Sequence, residues 1–124
     1  MNFFKKLQKQ FYTPQKKDLP SFSDSSILRY RIQFEGIVQG VGFRYEVYQM
    51  ATQLKLIGWV RNEMDGSVLC EVQGAKEKIE YLIHHLHQVP RFQIDSVTEK
   101  EIPLKNESSF HMANRSYGLA FCLL

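Results

Sequence analysis

Val38-Gln39-Gly40-Val41-Gly42-Phe43-Arg44 stands between an alternating apolar stretch and a run with helical spacing. Two glycines at a strand-to-helix junction, followed by an arginine, are the ingredients of a backbone cradle for a phosphate group. Loop N–H groups converge on the anion, the helix start adds its positive dipole end, and a guanidinium closes the site. Gly40 and Gly42 permit φ > 0 and close backbone approach. A helix starting near Phe43 has no Ser, Thr, Asp or Asn to satisfy its orphan N–H groups. It also places a cation where the macrodipole disfavours one, by about 0.3–1 kcal/mol. A bound anion resolves both problems.

Before the loop, Leu28, Tyr30, Ile32 and Phe34 alternate with Arg29, Arg31, Gln33 and Glu35, predicting a half-buried strand over 28–36. After it, Phe43, Val47, Met50, Ala51 and Leu54 fall at helical spacing, with Gly58 suited to the position past the helix end. Trp59–Met64 and Ser67–Gln73 read as strands around Asp65-Gly66, a hairpin signal that leaves a two- or four-residue turn open. Lys76–Val89 is a second helix with Ile79, Leu82, Ile83, Leu86 and Val89 inward. Gln93–Ile102 is a fourth strand, and Ser109–Ala113 suits a short last one. The order β-α-β-β-α-β predicts an α+β, ferredoxin-like split β-α-β sandwich, an antiparallel sheet with two helices on one face.

The chain has 124 residues, 44% of them hydrophobic and 23% charged, the make-up of one globular domain. No apolar run reaches the ~20 residues needed to cross a bilayer. Cys70 and Cys122 share no metal or redox spacing, so they read as free thiols of a reducing, cytoplasmic compartment. Residues 1–27 hold five lysines against Asp18 and Asp24, equal to the whole net charge of +3. The body, residues 28–124, is neutral, which argues against nucleic acid as its ligand. The leader 1–27 reads as basic and disordered. Phe3, Phe4, Leu7 and Phe11 would share one helical face, the alternative being contact with an anionic membrane surface.

Residues 28–113 resemble the acylphosphatase family, small enzymes of this fold that hydrolyse acyl phosphates. Two blocks carry the resemblance: Gly36-Ile37-Val38-Gln39-Gly40-Val41-Gly42-Phe43-Arg44, and Gly58-Trp59-Val60-Arg61-Asn62 followed by Asp65-Gly66-Ser67-Val68. The resemblance implies that Arg44 binds the phosphate, that Asn62 holds the attacking water, and that Gln39, Gly40, Val41, Gly42 and Phe43 form the cradle. Ile37 departs from the polar or basic residue of many relatives, but lies outside the cradle. The leader and the apolar tail 114–124 have no counterpart in the family; docking, a partner contact and disorder all suit the tail.

The residue chemistry agrees with that implication. An acyl phosphate already carries a good leaving group, so its hydrolysis needs positioning and charge stabilisation more than a strong nucleophile. A guanidinium can grip two phosphate oxygens and keeps its charge. Asn is unusual in a strand, and its amide can both accept from water and donate to a phosphate oxygen. It cannot act as a base, so the substrate's own phosphate oxygen is expected to take the water proton, with no covalent intermediate. The loop lacks the Gly-Lys-Ser/Thr of a nucleotide-binding P-loop. Trp59 reads as core. His84, His85 and His87 fall opposite the apolar helix face with no completing ligand, so they read as surface histidines and no metal or cofactor is expected. An RNA-binding module of this topology would need aromatics in the strand Ser67–Gln73, which has none. The expected protein is a monomeric enzyme acting on a small acyl phosphate. The alternative is a non-hydrolytic acyl- or carbamoyl-phosphate-binding module serving a partner, as such domains do within larger hydrogenase-maturation proteins.

Overall fold

Five strands form one sheet in the order β4-β1-β3-β2-β5, in a computed structural model that describes residues 19–22 and 26–114. Residues 1–18 and 115–124, which hold most of the leader and of the tail, lie outside the described residues. The strands are β1 (Ile27–Ile37), β2 (Ile57–Asn62), β3 (Val68–Ala75), β4 (Gln93–Ile102) and β5 (Phe110–Met112). The helices are α1 (Phe43–Gln53) and α2 (Lys76–Gln88). The split β-α-β architecture is the one expected from the sequence.

Register assigns the faces. Ile32 lies opposite Cys70, Phe34 opposite Val68, and Val60 opposite Cys70. Directly paired residues share a face, and these are buried together with Phe43, Val47 and Ala51 of α1 and Ile79, Leu82 and Leu86 of α2. The core therefore fills one side of the sheet, beneath both helices.

One pairing departs from the all-antiparallel expectation: β5 runs parallel to β2. The cause is the path of residues 103–109. β4 points opposite to β2, so a segment that crosses the end of the sheet where β4 stops arrives running along β2. Seven extended residues reach at most about 25 Å, and four strand spacings need only about 19 Å.

On the other face, Arg29 is 0% exposed and Glu71 is 1% exposed. Arg29 donates to Glu71, Gln73 and Glu107, while Arg31 and Lys105 also bond the Glu71 carboxylate. The crossing segment supplies Lys105 and Glu107, and so roofs this polar network.

Four details differ from the sequence reading. Trp59, read as core, is only half-buried; it pairs with Glu71 on the face away from the helices, with the Arg61 guanidinium 4.7 Å over its ring. Gly58 does not follow the helix end; it sits in β2, where a β carbon would stand 1.9 Å from the Glu71 carbonyl oxygen. The positive φ after α1 belongs instead to Lys55, at 59°. The hairpin turn is neither two nor four residues. Glu63 N–H donates to the Ser67 carbonyl at 2.9 Å, leaving Met64-Asp65-Gly66 as a three-residue loop with Gly66 at φ 93°. Ser67 N–H and its hydroxyl both donate to the Asp65 carboxylate, and those bonds lower the Asp65 pKa. Finally, His85 is buried, because the inner face of α2 is centred on Tyr81, Leu82, His85 and Leu86, with Ile83 only half-buried. The reading of all three histidines as surface residues fails there.

Phe22, just before β1, packs its ring edge-on against Tyr81 at 5.3 Å and 85°. Leu19 also rests on the core. Phe22→Ala is expected to lower stability by about 1–2 kcal/mol, read from urea unfolding, while leaving turnover at 25 °C unchanged.

Candidate active site

The loop between β1 and α1 enters the helix through two left-handed residues, Gly40 at φ 75° and Gly42 at φ 82°. A β carbon would meet nothing at Gly40, so the requirement there is conformational: an L side chain is strained in this region. Gly42 is the helix cap and supplies no side-chain hydrogen bond to the first turn. The first amides of α1 are therefore uncapped by side chains and sit beside an open cavity of about 270 Å³.

Gly40, Gly42, Phe43, Arg44 and Asn62 all line that cavity, together with Val38, Tyr45 and Met112. Gln39 and Val41 lie in the same loop but outside the lining. Phe43 is 1% exposed and anchors the loop by packing its ring edge-on against Phe34 at 5.0 Å and Phe92 at 4.8 Å. Arg44 is half-buried and makes no hydrogen bond or ion pair with the described residues. Its charge is unspent.

Asn62 reaches the cavity through strand register. It ends β2, opposite Val68 and two residues after Val60, so its side chain leaves the sheet on the helix face. Its Oδ1 is buried and accepts no hydrogen bond from the described residues. A buried carbonyl oxygen without a donor costs about 1–3 kcal/mol. Such an atom beside a cavity is a ready acceptor for water.

Two side chains brace the cradle, and neither bracing role was visible in the sequence. Gln39 turns away from the cavity and donates to the carbonyls of Glu63 and Ser67, at 2.7 and 2.8 Å. It thereby ties the loop to the hairpin that presents Asn62. Arg91, fifty residues on, donates from Nε to the Val41 carbonyl at 2.8 Å. Its guanidinium lies over the Phe92 ring at 4.7 Å and 3.5 Å from Glu46. Glu46 in turn meets His85 Nε2 at 2.6 Å. Among the described residues no three His, Cys, Asp or Glu side chains gather as metal ligands. Burial first, then the neighbouring His87 and His85, lowers the His84 pKa.

Comparison with known proteins follows the same lines. A family profile described as Acylphosphatase matches residues 30–112. An acylphosphatase of Bifidobacterium longum is 37% identical over 96 residues, covering 77% of this chain and 94% of that protein. One from Bacillus licheniformis is 38% identical over 92 residues, covering 73% of this chain and all of the relative. Among solved structures, an acylphosphatase from Bacillus subtilis superposes with a TM-score of 0.66 at 33% identity, covering 69% of this chain and 98% of the other. Full-length HypF in its phosphate- and nucleotide-bound form matches with a TM-score of 0.68 at 30% identity, over 77% of this chain but only 13% of that one. With a family match across most of its length and relatives covered almost whole, the chain belongs to the acylphosphatase family of hydrolases.

Proposed function

We propose that this chain hydrolyses acyl phosphates to a carboxylate and inorganic phosphate, with no metal and no covalent intermediate. The observation that carries the residue-level reading is the buried Asn62 Oδ1, without a donor among the described residues, sharing one cavity with the glycine loop and with Arg44, whose side chain has no partner among them. Arg44 and the amides of the cradle hold the phosphoryl oxygens. Asn62 accepts a hydrogen bond from the water and fixes its approach. The water oxygen bonds to phosphorus, the bond from phosphorus to the acyl oxygen breaks, and the carboxylate leaves with the electron pair. The water proton passes to a phosphoryl oxygen, which removes the need for a protein base. Preorganised donors in such a site cost no reorganisation as charge shifts. A small acyl phosphate is the substrate, with no nucleic acid involved. A cytoplasmic setting suits the buried free thiol of Cys70, and the chain is proposed to act there as a monomer.

The test is hydrolysis of benzoyl phosphate by the purified full chain, with and without EDTA, and by Asn62→Ala. Turnover is expected, EDTA is expected to leave it unchanged, and Asn62→Ala is expected to lower kcat about a hundredfold. Inhibition by inorganic phosphate should change only a few-fold in that variant, because water orientation matters in the transition state and little in the ground state. Binding of phosphate without turnover by the wild type would favour the non-hydrolytic module. Loss of activity in EDTA restored by zinc or magnesium would overturn the metal-free mechanism.

A further inference from the structure

Arg91 lies outside the cavity lining, yet it holds the peptide group whose orientation decides where the Gly42 amide points. Its Nε donates to the Val41 carbonyl at 2.8 Å, from the turn that joins α2 to β4. That carbonyl belongs to the same planar peptide as the Gly42 N–H. In a trans peptide the C=O and the N–H point in opposite directions. Pinning the Val41 oxygen toward Arg91 therefore turns the Gly42 N–H away from Arg91, toward the cavity that Gly42 lines. Glycine on either side of Val41 gives this segment little rotational stiffness of its own, since Gly40 and Gly42 each have access to both signs of φ. An external restraint is what selects one orientation.

We propose that Arg91 is a positioning residue for phosphate binding, acting through the Val41–Gly42 peptide. Its placement is over-determined. The guanidinium stacks 4.7 Å from the Phe92 ring centre, Phe92 packs on Phe43 at the start of α1, and Nη2 is 3.5 Å from the Glu46 carboxylate. Glu46 is itself held by the buried His85. The hydrogen bond from a cation also polarises the peptide, which makes the Gly42 N–H a stronger donor to an anion. A β carbon on Gly42 would stand 3.5 Å from Arg91 Nη2, so the positive charge lies directly behind the cradle.

The inference rests on the phosphate-binding reading of this loop, so its test measures phosphate binding directly and turnover separately. Inorganic phosphate would be titrated into 15N-labelled wild type, Arg91→Met and Arg91→Lys, following the Gly42 amide signal, with inhibition of benzoyl phosphate hydrolysis measured in parallel. In Arg91→Met the free-state Gly42 15N signal should move, the phosphate-induced shift should shrink, and phosphate affinity should fall about tenfold. Signals from β3 should stay in place, which separates a local effect from unfolding. Arg91→Lys, which can still donate to the carbonyl, should lie between the two. Unchanged phosphate affinity in Arg91→Met would overturn the proposal. So would full recovery of affinity by Arg91→Lys with Gly42 still displaced, because net charge alone would then account for the effect. A wild type that shows no phosphate response at Gly42 would instead sink the cradle reading beneath it.

Discussion

Arg44→Gln is expected to lower kcat/KM for benzoyl phosphate by about a thousandfold or more, the scale on which an arginine at a transferring phosphoryl group acts. That is about 4 kcal/mol of transition-state stabilisation. Arg44 lines the cavity without a hydrogen bond or ion pair to any described residue, so nothing else consumes its charge. Glutamine keeps a planar polar group of similar reach but removes the cation and the two-pronged grip on phosphate oxygens. The remaining donors are neutral amides, which can still collect an anion weakly at the helix start. Inhibition by inorganic phosphate should therefore weaken as well, in contrast to Asn62→Ala. Stability should hold or rise slightly, since a cation in the first helical turn is unfavourable when no anion is bound. Steady-state kinetics with urea unfolding on the same preparation would check both parts. Activity within tenfold of wild type would remove Arg44 from the chemistry.

The split between what the sequence disclosed and what it concealed follows the range of each interaction. The geometry of the candidate cradle was legible because its elements are contiguous: two glycines, a helix start without a side-chain cap and an arginine within a few residues. Asn62 was legible as a polar residue out of place in a strand, and strand parity then gives it the helix face. The alternation in Leu28–Phe34 and the helical spacing after Phe43 likewise encode burial locally. Register-dependent features were not so encoded. The three-residue hairpin loop depends on how Asn62 meets Val68, and the position of Gly58 depends on the close passage of the Glu71 backbone. His85 was misplaced because the inner face of α2 is rotated by less than one residue step, from Ile83 toward Tyr81 and His85, and helical spacing alone leaves that rotation loose. Its partner Glu46 lies on the other helix. Arg91 carries no sequence signal at all; its role exists only because the turn after α2 arrives beside Val41. The parallel β2–β5 pair is a property of the path taken by residues 103–109, which no periodicity records.

Glu71→Gln is expected to lower stability by about 3–5 kcal/mol, although it lies across the sheet from the candidate active site. Burial favours the protonated Glu71 carboxyl, but bonds from Arg31, Arg29 and Lys105 outweigh it and hold the pKa down at about 2. Arg31 and Lys105 have side chains about half exposed and can turn to water once the charge is gone. Arg29 cannot; its side chain is fully buried, with Glu107 the only remaining carboxylate bonded to it among the described residues. The loss is therefore the cost of a fully buried guanidinium left with one carboxylate, Glu107, in place of two. Because the folded pKa lies below the ordinary 4.5, protons bind the unfolded chain first as pH falls. The contribution of Glu71 is complete above about pH 4.5 and drains away as pH drops toward 2. Urea midpoints of the wild type should decline across that window, and those of Glu71→Gln should start lower and decline less. Replacing both Arg29 and Glu71 by methionine should cost less than the sum of the single changes, since neither charge is then left alone in the sheet. Folded Glu71→Gln protein should hydrolyse benzoyl phosphate at the wild-type rate, because the carboxylate and the cavity lie on opposite faces of β3 and β2. An additive double variant would show that Arg29 and Glu71 are not coupled, and a Glu71→Gln midpoint equal to wild type at pH 7 would show that the carboxylate contributes nothing to the fold.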